Sequence, residues 1–373
     1  MKELGMKEQG LPLGPMIVDL TGVTLTDEDR RRLAHPMTGG VILFGRNFKS
    51  RAQVMKLIRA IRAVRPNIII SVDHEGGRVQ RFKTDGFTHL PSMRTLGELY
   101  AKSPLRALKI ASQVGYVLAA ELRAVGVDYS YTPVLDLDYG GSTVIGDRAF
   151  APSAEVVTTL AKALLHGMLR AGMVGCGKHF PGHGFVVADS HVDMPVDRRG
   201  LKRILADDVL PYAALAQDLG AVMPAHVIYP KVEQSPAGFS KIWLGILREQ
   251  LQFHGAIVTD DLSMAGAALI YPNPAQRVKA ALDAGCDMAM VCNRPQDLDV
   301  ALNGLPKSYL RRAQGKDALR RISGLRARGA ALGWNELQKN AVYHSARQII
   351  TPYIRNGDGV VIVDPTEIML KKR

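Results

Sequence analysis

The chain has 373 residues, of which 47% are hydrophobic and 22% charged, with 48 Lys and Arg against 35 Asp and Glu for a formal charge of +13. These proportions fit a globular protein with a sizeable core and exclude a disordered or collagen-like chain. Three cysteines, Cys176, Cys286 and Cys292, form no paired framework and fit a reducing compartment. The basic charge is dispersed over stretches such as Arg51 to Arg65 and Lys307 to Arg328, without a nucleic-acid motif and with only 6% aromatic residues. A solvated basic surface explains it better than a nucleic-acid partner.

The N-terminal stretch from Met1 to Pro15 has no apolar run of the secretory kind, and nowhere do about eighteen apolar residues follow one another. A cytoplasmic protein without membrane contact is expected. The first apolar run, Met16 to Leu20, predicts a strand, and Thr26-Asp27-Glu28-Asp29 predicts a capping box at a helix start. Strands are expected at Gly40 to Phe44 and Ile68 to Val72, with a helix between them at 50–65. Behind Ser103, Pro104 opens a long helix to about Ala124. A fourth strand is expected at Tyr131 to Leu137 and a helix at Ser153 to Ala171. Fifth to eighth strands follow at Val174 to Lys178, Ala221 to Met223, Ala256 to Thr259 and Asp287 to Val291. Helices fall between them at about 200–218, 240–252 and 274–284, and more helices at 305–350. The tail, 357–373, reads as β-like.

Eight short, continuous apolar runs alternate with helical stretches, the pattern of parallel strands covered on both faces. Polar residues cluster just after nearly every strand: Asp73, His74, Glu75, Arg78 and Arg81; Arg148; Lys178 and His179; His226; Asp260 and Asp261; Asn293. A single (β/α)8 barrel places these at one mouth, whereas a doubly wound sheet explains the alternation but not so many polar strand ends. No GxGxxG or Walker loop is present.

The densest stretch is Gly177-Lys178-His179-Phe180-Pro181-Gly182-His183-Gly184 with Asp189-Ser190-His191. Its glycines and proline rule out a regular helix. Three readings stay open from the residues: a Gly-rich turn with surface histidines, a metal site of His179, His183, Asp189 and His191, or a substrate-binding Lys-His pair followed by an Asp189–His191 proton-transfer couple. The third fits the crowd of hydroxyl- and carboxylate-binding groups at the strand ends.

This stretch, together with Asp73-His74-Glu75-Gly76-Gly77-Arg78-Val79-Gln80-Arg81 and Val258-Thr259-Asp260-Asp261-Leu262-Ser263-Met264, resembles the family 3 glycoside hydrolases. More narrowly it is similar to the bacterial β-N-acetylglucosaminidases of peptidoglycan recycling. The likeness spans about residues 12–295. It implies one barrel domain over 1–350 with extra C-terminal helices, and a tail at 351–373 of unknown role. It implies retaining hydrolysis with Asp260 as nucleophile, His191 as acid/base and Asp189 as its partner. Asp73, Arg81, Arg148, Lys178 and His179 then bind N-acetylglucosamine. The implied substrate is a small muropeptide with N-acetylglucosamine β-1,4 linked to anhydro-N-acetylmuramic acid. A monomer is expected, with no cofactor and no metal. The alternatives are phosphorolysis of the same bond, a nucleophile supplied by the substrate's own acetamide, and a metal-dependent barrel hydrolase.

Overall fold

The computed structural model describes residues 12–187 and 194–354. Eight parallel strands follow in chain order: β1 (Met16–Val18), β2 (Thr38–Leu43), β3 (Ile69–Val72), β4 (Tyr129–Ser130), β5 (Cys176–Phe180), β6 (Ala221–Pro224), β7 (Ala256–Asp261) and β8 (Met288–Met290). Each pairs with the next except β4 with β5, and β8 pairs with β1. The ring closes through residues just beyond β4: Thr132 O accepts from Cys176 N at 2.7 Å, and Leu135 N donates to Lys178 O at 2.7 Å. The result is the expected (β/α)8 barrel.

The strands are apolar because the barrel buries both of their faces. Every residue of β1, β2, β3, β5, β6 and β8 is buried. Each fully buried Val, Leu or Ile contributes about 1.5–3 kcal/mol, and they form one continuous core. The outer layer begins with α1 (Asp27–Ala34), α2 (Arg51–Val64), α3 (Met93–Lys102), α4 (Pro104–Val125) and α5 (Ala154–Arg170). The Thr26 capping box is present: Asp29 N donates to Thr26 Oγ1 at 3.1 Å, and Thr26 N to Asp29 Oδ2 at 3.0 Å. In α2 the buried face is Val54, Leu57, Ile58 and Ile61, as its periodicity requires.

Four expectations need correction. The fourth strand is not one run over 131–137: it pairs with β3 only at Tyr129–Ser130, and the following residues turn at Pro133 to pair with β5. The fifth strand starts two residues later than expected and reaches Phe180, so His179 lies in the strand rather than in a loop. The helix expected at 200–218 is two short helices, Leu201–Ala206 and Leu210–Leu215. Between them Asp208 is drawn inward to Arg199 and Tyr139, which breaks the helical run. The helix at 240–252 changes from α (Lys241–Gly245) to π (Ile246–Gln250), with Arg248 reaching the carbonyls of Phe253 and Gly255 and the carboxylate of Asp287. The helix α3 has no counterpart among the sequence-predicted elements. The tail at 357–373 lies outside the described residues.

Candidate active site

The polar cluster is built on the strands' carboxyl ends. After β3 the chain makes a small hairpin, His74–Gly76 paired with Val79–Gln80. The turn needs left-handed backbone at Gly76 (φ 105°) and Gly77 (φ 55°), which glycine supplies without strain. This excursion carries Asp73, Glu75, Arg78 and Arg81. The turn Gly146–Arg148 after the fourth strand carries Arg148, and β5 carries Lys178 and His179.

These side chains meet. Lys178 Nζ lies 2.8 Å from Asp73 Oδ1 and 2.6 Å from Glu75 Oε1. Arg148 donates two parallel bonds to Glu75, each 2.9 Å, the bidentate geometry that guanidinium and carboxylate favour. Arg81 reaches Asp73 at 3.4 Å. Arg78 fastens the hairpin to the Arg148 turn by bonding Asp147 (2.8 Å) and the Val144 carbonyl (2.6 Å). Burial works against the charge of Asp73 and of Glu75. The nearby cations outweigh it, Lys178 and Arg81 for Asp73, and Arg148 and Lys178 for Glu75, so both carboxylates sit below their usual range. Burial likewise opposes the charge of Lys178, and Asp73 and Glu75 restore it, raising its affinity for the proton.

His179 is aimed by a residue the sequence reading missed. Asp136, fully enclosed, accepts from His179 Nδ1 at 2.7 Å, from His179 N at 3.1 Å and from His183 N at 2.7 Å. That fixes the Nδ1–H tautomer and makes Nε2 the nitrogen available to a ligand. Burial raises the Asp136 carboxyl, but His179 and His183 pull it down to about 2. Its signal was present, an Asp amid Leu135 and Leu137, a charge in an apolar run that needs a partner. His183 is buried, and enclosure, then the charge of His179, lower its pKa to about 4. Gly184 is required by packing: a Cβ there would lie 1.8 Å from the Leu137 carbonyl oxygen.

Asp260 and Asp261 separate as the alternation of a strand demands. Asp261 is buried and accepts from Ser263 N and Cys292 N, both 2.9 Å, and from Asn293 Nδ2 at 3.1 Å. Burial first, then the charges of Asp19 and Asp260, push its pKa up to about 6, against the bonds from Ser263 and Cys292. Asp260 is half-buried, and its Oδ1 accepts from Asp261 N at 2.7 Å.

Other strand-end residues are structural. His226 is buried and donates from Nε2 to the Asp261 carbonyl at 3.1 Å. His74 packs its ring against Phe82 and Phe87, and burial first, then Arg81, lowers its pKa to about 3. Asn293, left-handed at φ 63°, links Asp261 to Arg46 and Asp19. Asp189 and His191 lie outside the described residues. Among the described residues no three His, Cys, Asp or Glu side chains gather as a metal site, and no helix is long and apolar enough to cross a membrane.

A crowd of hydroxyl-binding cations, an oriented imidazole and one carboxylate presented at a barrel mouth suits chemistry on a polyhydroxylated ligand. The profile of the glycosyl hydrolase family 3 N-terminal domain matches residues 7–325. A β-hexosaminidase of Bordetella parapertussis is 54% identical over 342 residues, 91% of this chain and 95% of the relative. One of Chromobacterium violaceum is 56% identical over 298 residues, 79% of this chain and 83% of the relative. Native NagZ of Neisseria gonorrhoeae superposes with a TM-score of 0.84 at 43% identity, covering 92% of this chain and 99% of that one. The same neighbour, in complex with N-trifluoroacetyl-D-glucosamine, gives 0.83 at 42% identity over the same shares. With the family profile matching most of the chain and relatives more than half identical along most of their length, the chain belongs to glycosyl hydrolase family 3.

Proposed function

We propose that this protein is a retaining exo-β-N-acetylglucosaminidase that releases N-acetylglucosamine from β-1,4-linked 1,6-anhydro-muropeptides in cytoplasmic peptidoglycan recycling. The β-hexosaminidase relatives and the neighbour bound to an N-acyl glucosamine support the sugar. The muropeptide follows from the motif resemblance. The observation that carries the mechanism is the division of labour after β7: Asp261 is buried and spent on three structural hydrogen bonds, while its neighbour Asp260 is half-buried at the strand's carboxyl end.

In the first step a carboxylate oxygen of Asp260 attacks C1 of the hexosamine. The C1–O bond to the aglycone breaks, and His191 gives that oxygen its proton. In the second step neutral His191 takes a proton from water, the water oxygen bonds C1, and the Asp260 ester is released. Asp189 orients His191 and stabilises its cation. Lys178, Arg148, Arg81, Asp73 and His179 fix the sugar's hydroxyls, so that binding energy is used for orientation.

The test is trapping with a slow fluorinated N-acetylglucosaminyl donor, followed by peptide mass mapping. A covalent sugar on the peptide containing Asp260 is expected, and Asp260→Asn is expected to lower kcat by on the order of 10³-fold or more. No adduct, with Asp260→Asn as fast as the wild type, refutes the nucleophile. His191→Ala tests the acid/base: its rate on an aryl N-acetyl-β-glucosaminide must fall.

A further inference from the structure

Five ionisable side chains form one unbroken chain at the mouth: Arg81, Asp73, Lys178, Glu75 and Arg148. Glu75 joins its two halves. With its side chain 1% exposed it is too enclosed to meet a ligand itself, yet it takes one N–H of Lys178 and two of Arg148. Among the described residues, Asp73 and Glu75 take two of the three N–H groups on Lys178, and one remains. Among the described residues, two of the five on Arg148 go to Glu75 and one to the Val144 carbonyl at 3.3 Å, and two remain. Those three N–H groups are what the pair offers a sugar, and their directions are set by what Glu75 has already taken.

We infer that Glu75 is a positioning residue of the reaction, aiming Lys178 and Arg148 at the sugar and holding the two cations side by side in a buried site. This rests on the reading of the site as a hexosamine site. The charge matters as much as the aim. The groups around Lys178 are Asp73 and Glu75 from the hairpin, Arg148 from its turn, the Tyr131 ring at 6.0 Å and the buried Cys176 thiol on the same strand. Without the Glu75 charge, Asp73 alone faces burial and Arg148, and Lys178 gives up its proton at a lower pH. Among the described residues Glu75 is also the carboxylate with which Arg148 forms its ion pair.

The experiment compares wild type, Glu75→Gln and Glu75→Asp on an aryl N-acetyl-β-glucosaminide, and in N-acetylglucosamine binding across pH 6 to about 10. Glu75→Gln should raise KM about tenfold or more, and the alkaline limb of N-acetylglucosamine binding, read by titration calorimetry so that the proton of His191 does not set it, should move to lower pH. Glu75→Asp keeps the charge but cannot span both cations, so KM should rise while the alkaline limb stays near that of the wild type. In a Lys178→Met background the Glu75→Gln change should no longer move the limb. The inference is overturned by a wild-type KM and limb in Glu75→Gln, or by a limb shift that persists without Lys178. If Glu75→Gln does not fold, a wild-type KM in Glu75→Asp overturns it. Should the wild type not cleave the glycoside, the functional reading fails by itself. Titration calorimetry with N-acetylglucosamine then decides the inference, because equal affinities of wild type and Glu75→Gln would sink it.

Discussion

Replacing Asp136 by Asn tests the reasoning that buried ion pairs organise this mouth. The carboxyl is held at about 2 against an ordinary 3.8, and each tenfold in proton affinity is worth about 1.4 kcal/mol. The ionised form is therefore worth about 2 kcal/mol to the folded state. Because the folded-state value lies below the unfolded one, this contribution is complete above about pH 5 and is lost as pH falls through 3.8 towards 2, with about half gone at pH 3. The amide keeps an acceptor for His179 N and His183 N but sets an N–H₂ against the Nδ1–H of His179, so the ring must change tautomer or lose its bond. Urea unfolding should find Asp136→Asn less stable by about 2–3 kcal/mol at pH 7 and the gap narrowed to about 1 kcal/mol at pH 3. In parallel, KM for an aryl N-acetyl-β-glucosaminide should rise, since His179 no longer presents Nε2 as an acceptor. A gap of equal size at both pH values, or none at either, would refute the assignment of the stabilisation to an ionised Asp136.

Two further outcomes follow from buried pairs outside the cluster that runs from Arg81 to Arg148. Tyr343, in the C-terminal helix Ala341–Ile350, donates to buried Glu121 at 2.7 Å, and Glu121 also accepts from Thr88 N at 2.9 Å, fastening that helix to the loop that closes the Asp73 excursion. Tyr343→Phe should cost about 1–3 kcal/mol and lower the melting temperature by roughly 2–4 °C in a scanning calorimeter. Arg199 bridges the fully buried carboxylates of Asp197 and Asp208, each at 2.7 Å, and covers the Phe185 ring at 4.1 Å. Arg199→Ala leaves two buried acids unpaired and should cost about 3–5 kcal/mol in denaturant unfolding. Arg199→Lys should recover less than half, because an ammonium cannot fork between both.

The barrel is legible because its signal is redundant: eight apolar runs, nearly all followed by polar residues, cannot all be accidents of a different topology. Most strand positions agree to within about two residues, the usual uncertainty of an element's end. Where the reading failed, tertiary bonds had overridden local pattern. Asp208 interrupts a helix because Arg199 pulls it inward, and the fourth strand changes partner at Pro133. The excursion after Val72 was recognised as a functional stretch. Its pairing into a hairpin was not, since residues so rich in glycine and charge carry no strand pattern.

For the site, strand-end placement brings Asp73, Glu75, Arg81, Arg148, Lys178, His179 and Asp260, among other polar residues, to one mouth, because a barrel sends every such position there, and it is the family resemblance that assigns roles to all of these but Glu75. Which of them hold a ligand and which hold each other is a matter of distances between residues far apart in the chain. Glu75 and Asp136 look alike on paper, acids in short segments, until folding sets Glu75 between Lys178 and Arg148, 103 and 73 positions away, and Asp136 beneath His179, 43 positions away. Sequence carries the chemistry of each side chain and the period that places it on a strand. Only the closed barrel, by excluding water from pairs whose charges would otherwise be solvated, decides which charges are kept, aimed or neutralised.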